Sequence, residues 1–204
     1  MKCFNKYVQH RDEYIALGKC PSTTAKIRKN FGSRITKEWA KASGGKKAGA
    51  FAEMCVKDAI NSVGLTYEKA DRVIIGESTR TTVKQFFQPD GRIPEMNICL
   101  ESKMYTFGSS GTANEKLWAF FTKLEFYNEP CLLILAGEHE LRKFDECSRI
   151  WEVYHNNPDF EDATFAPTIR GFRDRGKLIL TTLGDLPDFL KKRTKNDLPN
   201  TYPP

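Results

Sequence analysis

The sequence predicts an α/β (α+β) fold, a central mixed sheet flanked by helices, and three observations carry that expectation. From Ala48 to Val63 apolar residues recur at three- and four-residue intervals, the period of one helix face. The runs "DRVIIGES", "TTVKQFF" and "MNICLESKMYTF" follow, each rich in strand formers. "CLLILAG", from Cys131, has the length and unbroken apolarity of a buried strand. Helix, strands, helix, strand is an order that packs helices on a mixed sheet. A chain of 204 residues suits one such core, since domains commonly run to roughly 100–200 residues.

The elements read in order as follows. The first forty residues read as short helices or turns, broken around "LGKCPST" and "NFGSR". "KASGGKKAGA" reads as a flexible basic connection, softest at Gly44-Gly45. It lacks the Gly-x-x-x-x-Gly-Lys-Ser/Thr order of a phosphate-binding loop. Phe51, Ala52, Cys55, Val56, Ala59, Ile60 and Val63 form the apolar face of the next helix, which Gly64 ends. "PDG" at residues 89–91 marks a turn, and Gly108 to Gly111 mark another. "ANEKLWAFFTKLEFY" reads as a second helix. Its aromatic face, Trp118, Phe120, Phe121, Phe126 and Tyr127, is too clustered for a platform that stacks single strands, so it is assigned to the core. "EHELRKFDECSRIWEVYHN" reads as one more helix. The tail from Pro158 is turn-rich, with a strand at "GKLILTTL", a short helix near "DLPDFLKKR" and a frayed end at "NDLPNTYPP".

With 40% hydrophobic and 28% charged residues, the composition is ordinary globular and suggests neither a disordered chain nor a membrane protein. No run approaches the roughly 18 apolar residues of a spanning helix, and "MKCFNKYVQHRDEY" lacks the apolar core of a signal peptide. A cytoplasmic protein is expected. The six cysteines form no CxxC pair and no zinc-like cluster with the three histidines, which predicts free thiols in a reducing compartment. His139 and His155 lack the surroundings of a general-base histidine and are expected to be structural. The net charge of +6 is unevenly spread, because residues 1–50 hold twelve Lys or Arg against three acids. A polyanion such as nucleic acid is a natural partner of that basic quarter, and a solvated basic surface is the alternative explanation.

The stretch "QPDGRIPEMNICLESKM", Gln88 to Met104, sets Glu101 and Lys103 two apart on a predicted strand. Side chains two apart share a face, so an acid and a lysine stand together where unpaired charge is costly. Asp90 precedes Glu101 by a turn, and an antiparallel return of the chain would bring the two carboxylates together. Two carboxylates at close range suit a hard cation with oxygen ligands, for which Mg²⁺ is the candidate. Lys103 beside it would orient an attacking water or help deprotonate it, and the set suits phosphodiester hydrolysis.

"PD" at Pro89-Asp90 followed by "ESK" at Glu101 to Lys103 resembles the signature of the PD-(D/E)XK nuclease superfamily, to which most type II restriction endonucleases belong. The resemblance covers about Lys47 to Gly137 and implies a restriction-endonuclease-like core. Asp90, Glu101 and Lys103 match the catalytic residues, and Glu53 matches the acid that the first core helix often sends toward the metal. The implied metal ligands are Asp90, Glu101, Glu53 and the carbonyl of Ser102. Glu115 and Lys116 match an acid-lysine pair that packs near the site in several restriction enzymes. One departure is that Pro94 and Glu95 interrupt the run after Asp90. Pro cannot donate to a central ladder, which leaves Glu95 or Glu77 as alternatives to Asp90.

The expectation is therefore a single nuclease domain over 1–204. Residues 1–46 would be a basic DNA-contacting region, 47–137 the catalytic core and 138–204 a helical and turn-rich decoration. The resemblance implies a Mg²⁺-dependent type II site-specific deoxyribonuclease that cuts double-stranded DNA at a short sequence and leaves 5′-phosphate and 3′-hydroxyl ends. A homodimer would match two-fold sites, and a methyltransferase would protect the host. Lys26, Arg28, Lys29, Arg34, Lys37, Lys41, Lys46 and Lys47 are the candidates for backbone phosphates. Thr79, Arg80, Gln85, Arg170, Arg173 and Arg175, with Arg34 and Lys37 again, are those for base edges. The alternatives are a structure-selective or nonspecific nuclease of the same superfamily, a non-catalytic basic DNA-binding module, and an RNA-binding or RNA-cleaving protein.

Overall fold

Every residue from Cys131 to Gly137 is buried, and this strand is the spine on which the two halves of the core are built. The structure, a computed structural model, describes residues 2–18, 34, 37–38, 41, 48–77, 84–105, 119–137, 140, 146–160 and 165–195. Along the chain these form α1 (Lys2–Gly18), α2 (Ala48–Ser62), β1 (Val73–Glu77), β2 (Lys84–Phe87), β3 (Gly91–Ile93), a 3-10 turn (Pro94–Met96) and β4 (Ile98–Tyr105). There follow a helical stretch, α3, over 119–124, then β5 (Cys131–Gly137), α4 (Glu146–Tyr154), α5 (Ala166–Asp174), β6 (Leu178–Thr182) and α6 (Leu186–Lys195).

The main sheet has the order β3-β4-β5-β6, and β1 with β2 forms a separate two-stranded ribbon. β3 and β4 are antiparallel, whereas β5 runs parallel to both β4 and β6. The sheet is mixed and flanked by helices, as the sequence predicts. Both faces of its parallel part are covered, which is why β5 reads as an unbroken apolar run. On one face Ile98, Leu100, Leu132, Ile134 and Ile179 pack with Tyr7 of α1, Phe51, Val56 and Ile60 of α2, and Leu186 and Leu190 of α6. On the other, Cys99, Leu133, Leu135, Leu178 and Leu180 pack with Phe120 and Leu124 of α3, Ile150 and Val153 of α4, and Ile169 and Phe172 of α5. The aromatic residues Phe120, Phe121 and Tyr127 lie in this core as expected, whereas Phe126, assigned to it as well, is 43% exposed because it falls in the turn after α3. Trp118 lies outside the described residues.

Most boundaries follow local chemistry. The chain leaves α2 through Gly64 at φ +81 and leaves β5 through Gly137 at φ +69, a backbone region that glycine enters without strain. Two readings are corrected. Residues 2–18 form one helix rather than several short ones, and the expected break at "LGKCPST" falls at its end. Residues 166–174, read as part of a turn-rich tail, form α5. There Ile169 and Phe172 are buried, and Pro167 opens a helix without needing its missing N–H. The helix read from "EHELRKFDECSRIWEVYHN" is described only at residue 140 and over Glu146–Tyr154. The segment beyond residue 137 supplies a sheet strand and three core-packing helices. The turn at 108–111 and the tail from 196 lie outside the described residues. Among the described residues no helix is long and apolar enough to cross a membrane.

α1 is tied to the sheet by polar contacts as well as packing. The fully buried Tyr7 hydroxyl donates to Glu140 and accepts from the N–H of Gly137 at 2.7 Å. Arg11 donates to the same carboxylate at 2.8 Å. Tyr7→Phe strands a buried N–H, and is expected to lower unfolding free energy by about 1–3 kcal/mol, read from urea denaturation.

Candidate active site

The site is built by the β3–β4 hairpin. Gly91 pairs with Leu100, Arg92 with Cys99 and Ile93 with Ile98. Pro94 enters the 3-10 turn as its first residue, where no N–H is required, and Asn97 closes the turn in the left-handed region at φ 49. Pro94 therefore ends β3 and does not delay its start. Asp90 stands at the other end of that short strand, its N–H bonded to the carbonyl of Leu100 at 2.9 Å. Its Oδ2 accepts the N–H of Ser102 at 2.7 Å and the Ser102 hydroxyl at 3.1 Å. The return of the chain thus sets Asp90 alongside Leu100, Glu101 and Ser102. On a strand, the N–H and C=O of one residue point to the same side, so the Ser102 carbonyl faces the edge where Asp90 stands.

Glu101 projects to the opposite face from Leu100 and is only 1% exposed. Its carboxylate is not left bare: Oε1 accepts the Tyr127 hydroxyl at 2.7 Å, and Lys103 Nζ lies 2.6 Å from Oε2. Lys123 Nζ adds a second positive charge 3.8 Å from Oε1. These partners answer the cost of burying the charge.

The electrostatics are those of a coupled set. Burial pushes the Asp90 carboxyl above the usual range and the charge of Glu101 adds to this, against Lys103 and the two Ser102 hydrogen bonds. Burial pulls Lys103 down, but Glu101 and Asp90 outweigh it and leave the group above its ordinary value. Lys103 is thus an ammonium ion at neutral pH. In this arrangement it acts as a donor to anions, not as a base that takes a proton from water. Burial, with Glu101 beside it, also keeps the Tyr127 hydroxyl protonated.

Tyr67 props the acid from behind. Its hydroxyl donates to the Asp90 carbonyl at 2.7 Å. Burial, Glu53 and Asp90 raise its pKa to about 12. Its ring lies on Gly91, where an added Cβ would sit 2.5 Å from Tyr67 Cε2. Gly91, read as a turn residue, belongs to β3 and is small because that ring covers it.

Glu53 is an exposed residue of α2 whose charge is felt at Tyr67. Among the described residues no three His, Cys, Asp or Glu side chains group to hold an ion. The donors at hand are two carboxylates and the Ser102 carbonyl, all hard oxygens. They fit Mg²⁺, which commonly takes one or two carboxylates and keeps several waters. Of the alternatives to Asp90, Glu95 accepts the N–H of Thr66 at 2.9 Å from the far turn of the hairpin. Glu77 pairs across the ribbon with Lys84.

Among the DNA-contact candidates, Arg34, Lys37 and Lys41 are exposed, and Arg34 is drawn to Glu13 at 3.1 Å and Glu38 at 4.0 Å. Gln85 lies on β2 opposite Gly76. Lys26, Arg28, Lys29, Lys46, Lys47, Thr79, Arg80, Glu115, Lys116 and His139 lie outside the described residues. Arg173 is bound to the Tyr154 carbonyl, Asn156 and Asp174, and Arg175 to Glu125. His155 packs on Trp151, with ring centroids 4.4 Å apart. The thiols of Cys3, Cys55, Cys99 and Cys131 are free.

Comparison of the chain with protein-family models, with curated proteins and with solved structures gives no match.

Sequence reasoning passed over Tyr127, Lys123 and Tyr67. The first two are four apart, the spacing of one helix face, but the surrounding aromatic run reads as core and hides their polar ends. Gly91→Ala is expected to push the Tyr67 ring off the hairpin and cost about 1–3 kcal/mol in urea unfolding. The raised Asp90 value means that the folded chain keeps this proton where the unfolded chain has released it. Its contribution to stability therefore falls as pH rises from the ordinary carboxylate value through its own titration. Urea unfolding in EDTA from about pH 4 to 8 is expected to show a smaller fall for Asp90→Asn than for the wild type.

Proposed function

We propose that the protein is a Mg²⁺-dependent endonuclease of double-stranded DNA with a PD-(D/E)XK site, of the type II restriction kind. The observation that carries this reading is the hairpin that sets Asp90 beside Glu101 and Ser102, with Lys103 paired to Glu101 at 2.6 Å. The order α2, β1 to β4, α3, β5 supports a restriction-endonuclease-like core. So do the antiparallel β3–β4 pair and the parallel β4–β5 pair. Here the second core strand would be bent, its first part β2 pairing with β1 and its second part β3 with β4.

Asp90, Glu101 and the Ser102 carbonyl would hold Mg²⁺, which when bound supplies a Lewis acid for the phosphate and a water of lowered pKa. The other tasks fall to the chain. The N–H and hydroxyl of Ser102 fix Asp90 in place, and Tyr67 holds its backbone. Lys103 offers an ammonium ion that can position a water or a phosphate oxygen and stabilise charge that grows during attack. The exposed basic residues of the N-terminal quarter, Lys37 and Lys41 among them, suit phosphate contacts.

Incubation of the purified protein with unmethylated plasmid and phage DNA, in Mg²⁺ or EDTA, tests the reading. Discrete fragments that require Mg²⁺ support it. A smear or nicks would favour a nonspecific or structure-selective nuclease, and intact DNA that the protein binds equally in EDTA would favour a non-catalytic binding module. Lys103→Ala is expected to lower the cleavage rate by about 10²- to 10³-fold with DNA affinity in EDTA nearly unchanged. Full activity in that variant would remove Lys103 from the mechanism.

A further inference from the structure

The two oxygens of Glu101 are held by partners of different kinds. Oε1 accepts from Tyr127, which is only 1% exposed and whose ring lies among Phe120, Leu124 and Leu133 in the core. The main chain of Tyr127 is pinned too, because its carbonyl accepts from Lys177 Nζ just before β6. For this hydroxyl to leave Oε1, the ring would have to vacate its place in a close-packed core. Oε2 faces Lys103, an 18% exposed ammonium ion at the end of a four-carbon stem, which can swing aside at small cost. Oε1 has a fixed neutral donor in contact, with the Lys123 ammonium farther off at 3.8 Å, whereas the contact to Oε2 is a mobile cation at 2.6 Å.

We infer that Tyr127 is the positioning residue of this site, fixing Glu101 through Oε1 so that Oε2 alone is offered to a divalent cation, in exchange for the ammonium group of Lys103. The inference rests on the reading of Asp90 and Glu101 as a cation-binding pair. Exchange of one cation for another keeps the buried carboxylate compensated throughout, whereas an empty Oε2 would carry the cost of an unpaired buried charge. The displaced ammonium stays tethered beside Asp90, where the negative phosphate of a substrate would meet it.

The test is calorimetric titration of the full chain with Mn²⁺, without DNA, for the wild type, Tyr127→Phe and Lys103→Met, with folding checked by thermal melting. Tyr127→Phe is expected to bind Mn²⁺ about tenfold more weakly while its DNA affinity in EDTA is unchanged. Lys103→Met is expected to bind several-fold more tightly, because the competing cation is gone. A purely structural tyrosine would lower the melting temperature and leave Mn²⁺ affinity alone, and that result in folded Tyr127→Phe overturns the inference. Weaker binding in Lys103→Met overturns the exchange and decides the matter even where Tyr127→Phe fails to fold. Mn²⁺ binding with the expected shifts but no DNA cleavage would reject the nuclease reading and leave this inference standing. No Mn²⁺ uptake by the wild type would reject both.

Discussion

A carboxylate with about one hundredth of its surface exposed needs partners fixed in place, and the architecture around β4 follows from supplying them to Glu101. Lys103 comes from the same strand and Tyr127 from the chain just before β5, while Lys123 comes from α3. Each is placed by a different part of the fold. Only a sheet with a helix packed on that face can bring the three together. A chain selected for stability alone would gain by filling this space with apolar side chains, since buried ion pairs seldom repay their desolvation. A charged set here, next to the half-buried Asp90, is the kind of arrangement found at functional sites and is what the proposed function draws on.

Asp90 illustrates how the hairpin serves this set. The β3–β4 ladder is three pairs long, and beyond it the side chain of Asp90 takes over, bonding to the N–H of Ser102. An acidic side chain in place of a strand neighbour leaves the edge of β4 next to Ser102 facing a carboxylate instead of a backbone. The same substitution raises the proton affinity of Asp90, because burial and Glu101 both oppose its ionisation. A bound divalent cation would relieve that strain, which ties the raised proton affinity of Asp90 to the proposed use of the site.

The framework was legible in the sequence because its signals are local. The three- and four-residue period of α2, the apolar run of β5 and the strand at "GKLILTTL" each report burial directly. The antiparallel return of the chain after Asp90 was legible, although the turn read at residues 89–91 lies at Pro94–Met96. The register was not, because Pro94 acts as a helix-turn residue and that role depends on the hairpin. α5 was missed for a related reason: Pro167 and Gly171 look like turn residues until Ile169 and Phe172 are seen to share a buried face. Tyr127 and Tyr67 were invisible as polar groups, since an aromatic side chain advertises its ring and its hydroxyl finds a partner only in three dimensions.

Whether Glu101 and Lys103 are buried for chemistry or for stability is the central question, and the metal-free stability of the double variant Glu101→Gln with Lys103→Met addresses it directly. Gln keeps an acceptor for Tyr127, and Met fills the volume of the lysine stem. Urea unfolding in EDTA is predicted to find the double variant at least as stable as the wild type, as expected when a buried ion pair gives way to neutral groups of similar shape. A loss of about 3–5 kcal/mol, the cost typical of breaking a buried pair, would mean that the pair holds the fold together, and would contradict the account.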